Sequence, residues 1–267
     1  MSIFAQMSLP EAYERFLVEP LFRPFAEEVL DRLDPAPGDS LLDVACGTGI
    51  VARLARHRLG PRARIVGVDA APPMLSVARR ADSTIDWRDG NAMALPVAAD
   101  ERFSLVSCHQ GLQFFKDRPA AVCEMRRVLT SGGRVVIATW LSTADIPLAG
   151  DLHEVAERHL GPMTEVRHSC GDASELRRLL VESGFTDVRV EAVSGIVRGI
   201  DGPTYARLNA MAVVGMSPKA RSLSDSERAD VTERVAADSL NVVSKYTRDG
   251  DFRFTLAANM ATGRASG

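Results

Sequence analysis

A short apolar run that leads into a glycine-rich segment most constrains what this chain can fold into. Residues 40–44 (SLLDV) have the composition of a β-strand, and the small residues ACGTG follow at 45–49. Helical spacing of apolar residues begins at Ile50. In doubly wound α/β folds such a junction binds a nucleoside cofactor, because small residues let the ligand approach the backbone. The junction therefore predicts an α/β fold with a nucleoside ligand.

Strand and helix patterns alternate after this junction. Predicted strands cover 64–68, 85–87, 103–108 and 134–140, predicted helices cover 50–59, 73–80 and 119–129, and a turn is predicted at 131–133. This order is typical of a parallel sheet with helices on both faces.

The two ends of the chain have a different pattern. Residues 9–33 predict two short helices interrupted at Pro20. Further helices are predicted near 148–160, 172–183, 202–213 and 225–244, with late strands at 188–197 and 252–257 that could extend the sheet at its far edge. We therefore expect one compact domain with three parts: an N-terminal helical cover at 1–38, a ligand-binding core at 39–141, and lid helices with C-terminal strands at 142–267.

Composition excludes several classes of function. The net charge is −3 and acidic and basic residues are interleaved, so no basic stripe is available to bind a nucleic acid. The four cysteines are widely spaced and form no CxxC pair, which predicts reduced, buried thiols and no metal site. They are Cys46, Cys108, Cys123 and Cys170.

The chain also lacks the sequence features of membrane insertion. No stretch approaches the roughly 20 apolar residues that span a bilayer. Glu11 and Glu14 stand where a signal peptide would be basic and then apolar. We therefore expect a cytoplasmic protein.

The charge of Asp43 bears on which cofactor the loop binds. Gly47, Gly49 and Ala52 also match the G-x-G-x-x-A pattern of dinucleotide sites. A carboxylate at Asp43 would repel a pyrophosphate but favour the ammonium and sulfonium charges of S-adenosylmethionine. Asp69, 22 residues after Gly47, is placed to accept the ribose hydroxyls of either cofactor. The charge favours S-adenosylmethionine, and a nicotinamide-dependent oxidoreductase stays open as an alternative.

Four motifs together carry a family resemblance. They are LDVACGTG at 42–49, GVD at 67–69, DGNAMALP at 89–96 and LTSGG at 129–133. In order and spacing they resemble the motifs of class I S-adenosylmethionine-dependent methyltransferases, and most closely the type 11 small-molecule branch that includes the ubiquinone and menaquinone methyltransferases. The resemblance covers about residues 40–140. It implies a Rossmann-like, doubly wound, mostly parallel seven-stranded sheet with helices on both faces and a helical lid.

The resemblance also implies a set of cofactor-binding residues. Around the methionine part of the donor it places Asp43, Ala45, Gly47, Thr48, Gly49 and His109; at the ribose and adenine it places Asp69, Ala70, Met74, Gly90, Asn91 and Ala92; and Tyr13 would close over the donor. Many relatives have glycine at position 45 and aspartate at position 91. Ala45 implies a backbone angle that a Cβ tolerates. The amide of Asn91 can still pair with adenine.

The resemblance implies methyl transfer, which needs mainly alignment of the reactants and exclusion of water. His109 is the candidate base for a hydroxyl acceptor, by position and by the ordinary pKa range of histidine. The alternative, that His109 only packs or contacts the donor, stays open.

The acceptor is expected to be a small molecule. After Cys108 there is no Asn/Asp-Pro-Pro-aromatic segment of the kind that stacks a flipped nucleobase. A phenolic, quinone-like or other secondary metabolite is therefore the predicted acceptor, and a homodimer is left open. The second hypothesis is a protein that binds S-adenosylmethionine without transferring its methyl group.

Overall fold

The computed structural model describes residues 7–266, whose contacts group them into two compact units. The sheet unit comprises Phe22–Leu141, Val166–Val193 and the described chain from Ala258 onward. The helical unit comprises Ser142–Glu165, Ser194–Ala257 and the described chain up to Leu21. The predicted division at 1–38, 39–141 and 142–267 stays a prediction, and its residues 1–6 and 267 lie outside the described chain.

The strands between residues 7 and 266 form a seven-stranded sheet and a separate two-stranded hairpin. In chain order they are β1 (Leu41–Val44), β2 (Ile65–Asp69), β3 (Asp86–Asp89), β4 (Phe103–His109), β5 (Leu129–Trp140), β6 (Phe185–Val197), the hairpin strands β7 (Thr247–Arg248) and β8 (Asp251–Phe252), and β9 (Phe254–Ala265). The sheet order is β3-β2-β1-β4-β5-β9-β6, in which β1 to β5 pair in parallel and β9 pairs antiparallel to β5. The predicted mostly parallel, seven-stranded α/β fold is confirmed.

Helices alternate with the strands along the chain. In chain order they are α1 (Leu9–Tyr13), α2 (Arg23–Leu33), α3 (Ile50–Leu59), α4 (Pro72–Ala81), α5 (Arg118–Arg127), α6 (Pro147–Leu160), α7 (Ala173–Glu182), α8 (Gly202–Met216) and α9 (Asp225–Lys245). Right-handed crossovers put α3 and α4 on one face and α5 on the other, because the strand order runs outward from β1 in one direction and from β4 in the opposite one. A crevice therefore opens between the carboxyl ends of β1 and β4, where such sheets bind ligands.

Buried apolar side chains from strands and helices form the core of the sheet unit. The parallel strands are apolar on both faces because helices cover both. Core side chains include Leu42, Val44, Val66, Val68, Phe103, Val106, Met125, Val135, Ile137, Leu176 and Phe185. Cys46, Cys108 and Cys170 are also buried, but Cys123 is exposed on α5, which corrects the prediction that all four thiols are buried.

Two local predictions are wrong. The helical run from Leu9 to Leu33 does not break at Pro20, because a π-helix (Glu14–Phe22) carries the proline, which has no N–H to donate. The predicted turn at 131–133 lies inside β5 as an irregularity, where the register with β4 shifts from Phe103↔Leu129 to Leu105↔Arg134. The extra residues on β5 form a β-bulge, so the chain does not reverse its direction there.

Helices α6, α8 and α9 pack against one another in the helical unit. Buried Leu208, Val213, Val235 and Val243 contribute to the interior of α8 and α9. The predicted lid role of these helices stays a prediction. Between residues 7 and 266 no helix is both long and apolar enough to cross a membrane.

The indole of Trp87 on β3 fills the space beside two glycines, which makes Gly67 sensitive to substitution. A Cβ at Gly67 would overlap the Trp87 ring and would lie 3.0 Å from Cys46 Sγ. We expect Gly67→Ala to lower the free energy of unfolding by about 2 kcal/mol, the usual cost of overpacking a core. Denaturant unfolding measures this change.

Gly215→Ala is the matched control. Gly215 lies on α8 with nothing within 4 Å of an added Cβ, so alanine should raise stability by up to about 1 kcal/mol. Equal effects of the two substitutions would contradict the role assigned to Trp87.

Candidate active site at the carboxyl edge of the sheet

The loop after β1 makes its bend with three residues in the left-handed region. Ala45, Gly47 and Gly49 have φ angles of 55°, 57° and 90°. An added Cβ on Gly47 would meet nothing within 4 Å, whereas one on Gly49 would overlap the ring of Trp87. The two glycines therefore serve different purposes: Gly47 borders open space that a ligand can occupy, and Gly49 makes room for an indole.

The backbone of Ala45 differs from the prediction. Its φ of 55° lies where a side chain with a Cβ is disfavoured, so the expectation of a tolerant angle is wrong. Its methyl group lies against Gly111, where an added Cβ would be 2.5 Å from Ala45 Cβ. The strain at Ala45 is therefore held in place by close packing against the segment after β4.

The carboxyl group of Asp43 joins three elements of the sheet unit. Ser107 on β4 donates a 2.8 Å hydrogen bond to Oδ1, and the backbone N–H of Ala52 in the first turn of α3 donates to Oδ2 at 3.3 Å. Asp43 is 1% exposed, and burial raises its pKa to about 7. Neither hydrogen-bond donor carries a positive charge, so a cation placed nearby would favour the ionised form of Asp43.

Asp69 at the end of β2 anchors the glycine loop. The N–H groups of Gly47 and Ala71 donate to its two carboxyl oxygens, both at 2.8 Å. Burial raises the pKa of Asp69, and its charge in turn raises the pKa of Asp43. Asp69 therefore contacts the backbone of Gly47, which borders open space, and the pKa values of both carboxyl groups are raised.

The remaining predicted residues of the adenine side follow β2 and β3. Ala70 is exposed, Met74 is half-buried in the first turn of α4, and Ala92 is buried. Asn91 is exposed, and its Oδ1 accepts a hydrogen bond from the N–H of Met93 at 2.9 Å. This bond leaves the Asn91 amide hydrogens as the donors available to a ligand.

Gly90 has a packing reason for its identity. A Cβ there would lie 2.6 Å from two ring carbons of Pro96 and 3.1 Å from Val68 Cγ1. Its N–H donates to the backbone oxygen of Asp69 at 3.0 Å. Gly90 therefore shapes the loop whether or not it contacts a ligand.

His109 ends β4 among aromatic rings. Its centroid lies 6.0 Å from Phe22 and 6.5 Å from Trp140, both edge to face. Burial lowers its pKa to about 3, so the imidazole is neutral at physiological pH. The prediction of a catalytic base rests on the ordinary pKa of histidine, which His109 does not have. A base of such low pKa accepts a proton weakly. Its catalytic role stays a prediction.

Several polar atoms beside this edge have no hydrogen-bond partner among residues 7–266. They are Thr48 Oγ1, His109 Nε2, Gln110 Nε2 and Gln113 Oε1, in side chains that are at most 8% exposed. Buried polar atoms are normally paired, so atoms of this kind indicate that a ligand belongs beside them.

Sequence reasoning missed four residues that shape the site. Trp87, Ser107, Gln110 and Gln113 follow no motif, and their roles depend on partners that fold next to them. The position of Gln110 and Gln113 directly after a predicted strand of a doubly wound sheet was the one available signal.

Tyr13 is the predicted site residue that belongs to the helical unit. It ends α1, where it is half-buried, and its part in cofactor binding stays a prediction. Among residues 7–266, no three or more His, Cys, Asp or Glu side chains come together in a group that could hold a metal ion.

The chain is similar to known methyltransferases in sequence. A family model described as "Methyltransferase domain" matches residues 42–137. The demethylmenaquinone methyltransferase of Halalkalibacterium halodurans is 32% identical over 189 residues, which are 63% of this chain and 76% of that protein. Nocamycin O-methyltransferase of Saccharothrix syringae is 38% identical over 121 residues, which are 43% of this chain and 42% of that protein. The chain thus spans under half the length of this second relative.

A solved structure shares the fold. Phosphoethanolamine N-methyltransferase 2 of Haemonchus contortus, in complex with phosphomonomethylethanolamine and S-adenosylhomocysteine, aligns with a TM-score of 0.59 and 18% identity. The alignment covers 97% of this chain and 57% of that one. At this identity the likeness concerns the fold alone.

The contact between Ala45 and Gly111 predicts coupled effects on stability. Ala45→Gly should raise the free energy of unfolding by about 1 kcal/mol, because glycine adopts the left-handed angle without strain. Gly111→Ala should lower it by about 2 kcal/mol through overlap with Ala45 Cβ. The double variant should recover most of that loss, and purely additive effects in a double-mutant cycle by denaturant unfolding would contradict the contact.

The raised pKa of Asp43 predicts a pH dependence of stability. Its folded-state pKa of about 7 exceeds the ordinary value of 3.8 for an aspartate side chain, so the folded protein binds more protons between these pH values. The contribution of Asp43 to stability is therefore complete below about pH 4 and is lost as pH rises through 7, at up to about 1.4 kcal/mol per pH unit. Asp43→Asn should remove this slope from unfolding free energies measured between pH 4 and 8, and an unchanged slope would contradict the assignment.

Proposed function

Because the chain belongs to the methyltransferase family whose model matches residues 42–137, we propose that it transfers the methyl group of S-adenosylmethionine to a small-molecule acceptor. The acceptor class we propose is phenolic, quinone-like or another secondary metabolite. Methyl transfer would proceed by in-line displacement.

Family membership confirms part of what the motifs predict. The resemblance, the enzyme class of S-adenosylmethionine-dependent methyltransferase, and the cofactor are confirmed at the level of the family. The acceptor, the individual site residues and the oligomeric state are part of the proposal.

The residues at the edge of the sheet fit a cationic nucleoside. The observation that carries the proposal is the open space beside Gly47, whose N–H donates to Asp69. The carboxyl groups of Asp69 and of the buried Asp43 on β1 both have raised pKa values. The ammonium and sulfonium charges of the donor would favour ionisation of these carboxyl groups, whereas a pyrophosphate would oppose it. Asp69 has a second lone pair on each oxygen for the ribose hydroxyls, and Thr48 Oγ1 needs a partner.

When bound, S-adenosylmethionine supplies a methyl group on a positively charged sulfur, with a neutral thioether as the leaving group. The protein then has to align an acceptor atom with this methyl group and keep water away. The buried rings of Phe25 and Trp140, 4.9 Å apart, form an apolar wall on the same side as His109. We propose that this wall excludes water from the acceptor.

The neutral imidazole of His109 has a defined part in this proposal. Its Nε2 atom has no partner among the described residues, so it can form a hydrogen bond with the acceptor or the donor. Its lowered pKa disfavours full protonation before methyl transfer. We therefore propose that His109 orients a reactant, and that any proton from the acceptor leaves as the carbon–sulfur bond breaks or afterwards.

Other parts of the sequence interpretation accompany the proposal as predictions. The absence of a basic stripe in the sequence supports a small molecule over a nucleic acid. A homodimer and a cytoplasmic location stay predictions, as does the helical lid over the acceptor.

The first test measures ligand binding by the purified protein. S-adenosylhomocysteine at a hundred times its Kd should add about 2.7 kcal/mol to stability in thermal unfolding, and NAD should add nothing. Asp69→Asn should weaken S-adenosylhomocysteine binding at least tenfold in calorimetry, because the isosteric amide loses the charge and one acceptor. Asp100→Asn, at an exposed position of the loop before β4, is the matched control and should bind normally.

The second test measures methyl transfer. Release of S-adenosylhomocysteine should depend on an added phenol or hydroquinone. Binding of S-adenosylhomocysteine without turnover of any phenol, hydroquinone, peptide or RNA would favour a binding protein without methyl transfer. Stabilisation by NAD alone would overturn the donor.

A further inference from the structure

Two buried glutamines after β4 form a pair that satisfies only part of its hydrogen-bonding capacity. Gln110 and Gln113 are 7% and 3% exposed, and Gln113 Nε2 donates to Gln110 Oε1 at 3.3 Å. Gln110 Nε2 and Gln113 Oε1 have no partner among the described residues. Exchanging nitrogen and oxygen in both amides would leave the same result, one unpaired donor group and one unpaired acceptor.

Such a pair destabilises the protein unless a ligand completes it. A buried amide atom without a hydrogen bond loses its solvation and gains nothing in return. Gln110 also has a φ of 58°, a left-handed angle that is unfavourable for a residue with a Cβ. Unpaired polar atoms and strained backbone together are typical of binding sites, where the surrounding structure holds them in position.

The position of the pair links it to the acceptor rather than to the ribose or adenine. Gln110 directly follows His109, and its N–H donates to the backbone oxygen of Ala138 on β5 at 2.9 Å. Gln113 lies in the short 3-10 helix that follows (Leu112–Phe114). The pair therefore lies on the β4–β5 side of the edge, whereas Asp69 and Asn91 follow β2 and β3 on the other side of β1.

The chemistry of the unpaired atoms restricts what they recognise. Both amides are uncharged, and an amide donor and an amide acceptor suit a ligand that carries a hydroxyl hydrogen and an oxygen lone pair. A carboxylate or phosphate would bring only acceptors and would leave Gln113 Oε1 unpaired and repelled.

We propose that Gln110 and Gln113 form the acceptor-recognition subsite of the enzyme, which binds an uncharged group with two neighbouring oxygens, at least one of them a hydroxyl. The unpaired amide N–H donates to one oxygen, and the unpaired amide oxygen accepts from the hydroxyl. The inference deepens the proposed function and depends on it.

The probe is catechol, which carries two neighbouring hydroxyls and is uncharged at pH 7.5. Phenol, with one hydroxyl, and benzoate, an anion, are the comparison probes. Methylation is followed with S-adenosylmethionine, and binding of S-adenosylhomocysteine is measured by calorimetry.

The variants are Gln110→Met, Gln113→Met and the double substitution, because methionine keeps the length of the side chain and removes its polar atoms. Lys116→Met, at an exposed position of the same segment, is the matched control.

We expect catechol to be preferred at least tenfold over phenol in kcat/KM and benzoate to be inactive. Each Gln→Met substitution should raise the KM for catechol about tenfold, which is the loss of one well-placed hydrogen bond. The Kd for S-adenosylhomocysteine should stay within twofold in all variants. The double variant should unfold at the same temperature as the wild type or higher, since two unpaired polar atoms are removed. A purely structural pair would instead lower this temperature.

The outcomes separate this inference from the proposed function. A wild-type protein that does not bind S-adenosylhomocysteine contradicts the proposed function itself. A wild-type protein that binds it but methylates no catechol, or prefers benzoate, overturns the subsite alone. An unchanged KM in the variants, or a Kd for S-adenosylhomocysteine that rises with the KM, also overturns it, the latter because the pair would then bind the donor.

Discussion

The buried carboxyl group of Asp43 is the interaction on which the candidate site depends. It ties β1 to β4 through Ser107 and to the first turn of α3 through the N–H of Ala52. Gly49, the residue directly before α3, has no side chain to cap the helix, so Asp43 satisfies one of the N–H groups that every helix start leaves unpaired. A small loop with left-handed residues can therefore lie between β1 and α3 without losing its shape.

The electrostatic character of the site changes across β1. Asp43 and Asp69 are acidic groups with raised pKa values, and Asp69 binds the N–H of Gly47, which borders open space. On the β4 side the available groups are a neutral imidazole and two amides. This difference fits the proposed reaction, because acidic groups favour the two positive charges of the donor, whereas neutral groups suit an uncharged acceptor.

Local patterns predicted well where neighbours in sequence determine the structure. The predicted helix 50–59 agrees with α3, and the predicted strands of the first half agree with β1 to β4 within two residues. Prediction from the sequence was wrong where the surrounding structure overrides the preference of a single residue or a short segment. Pro20 is accommodated by a π-helix, and residues 131–133 remain within β5 because the strand is long enough to contain a bulge. Ala45 is held at a left-handed angle that its own identity disfavours.

The sequence by itself determined the order of strands and helices, the position of the glycine loop, and the family, because these depend on residue type and spacing along the chain. Only the tertiary structure decided that Trp87 occupies the space beside Gly49 and Gly67, and that Ser107 is the partner of Asp43. It also decided which polar atoms stay unpaired at Gln110 and Gln113. Burial and hydrogen-bond partners depend on residues that are distant in sequence and meet only after folding, so no local pattern encodes them.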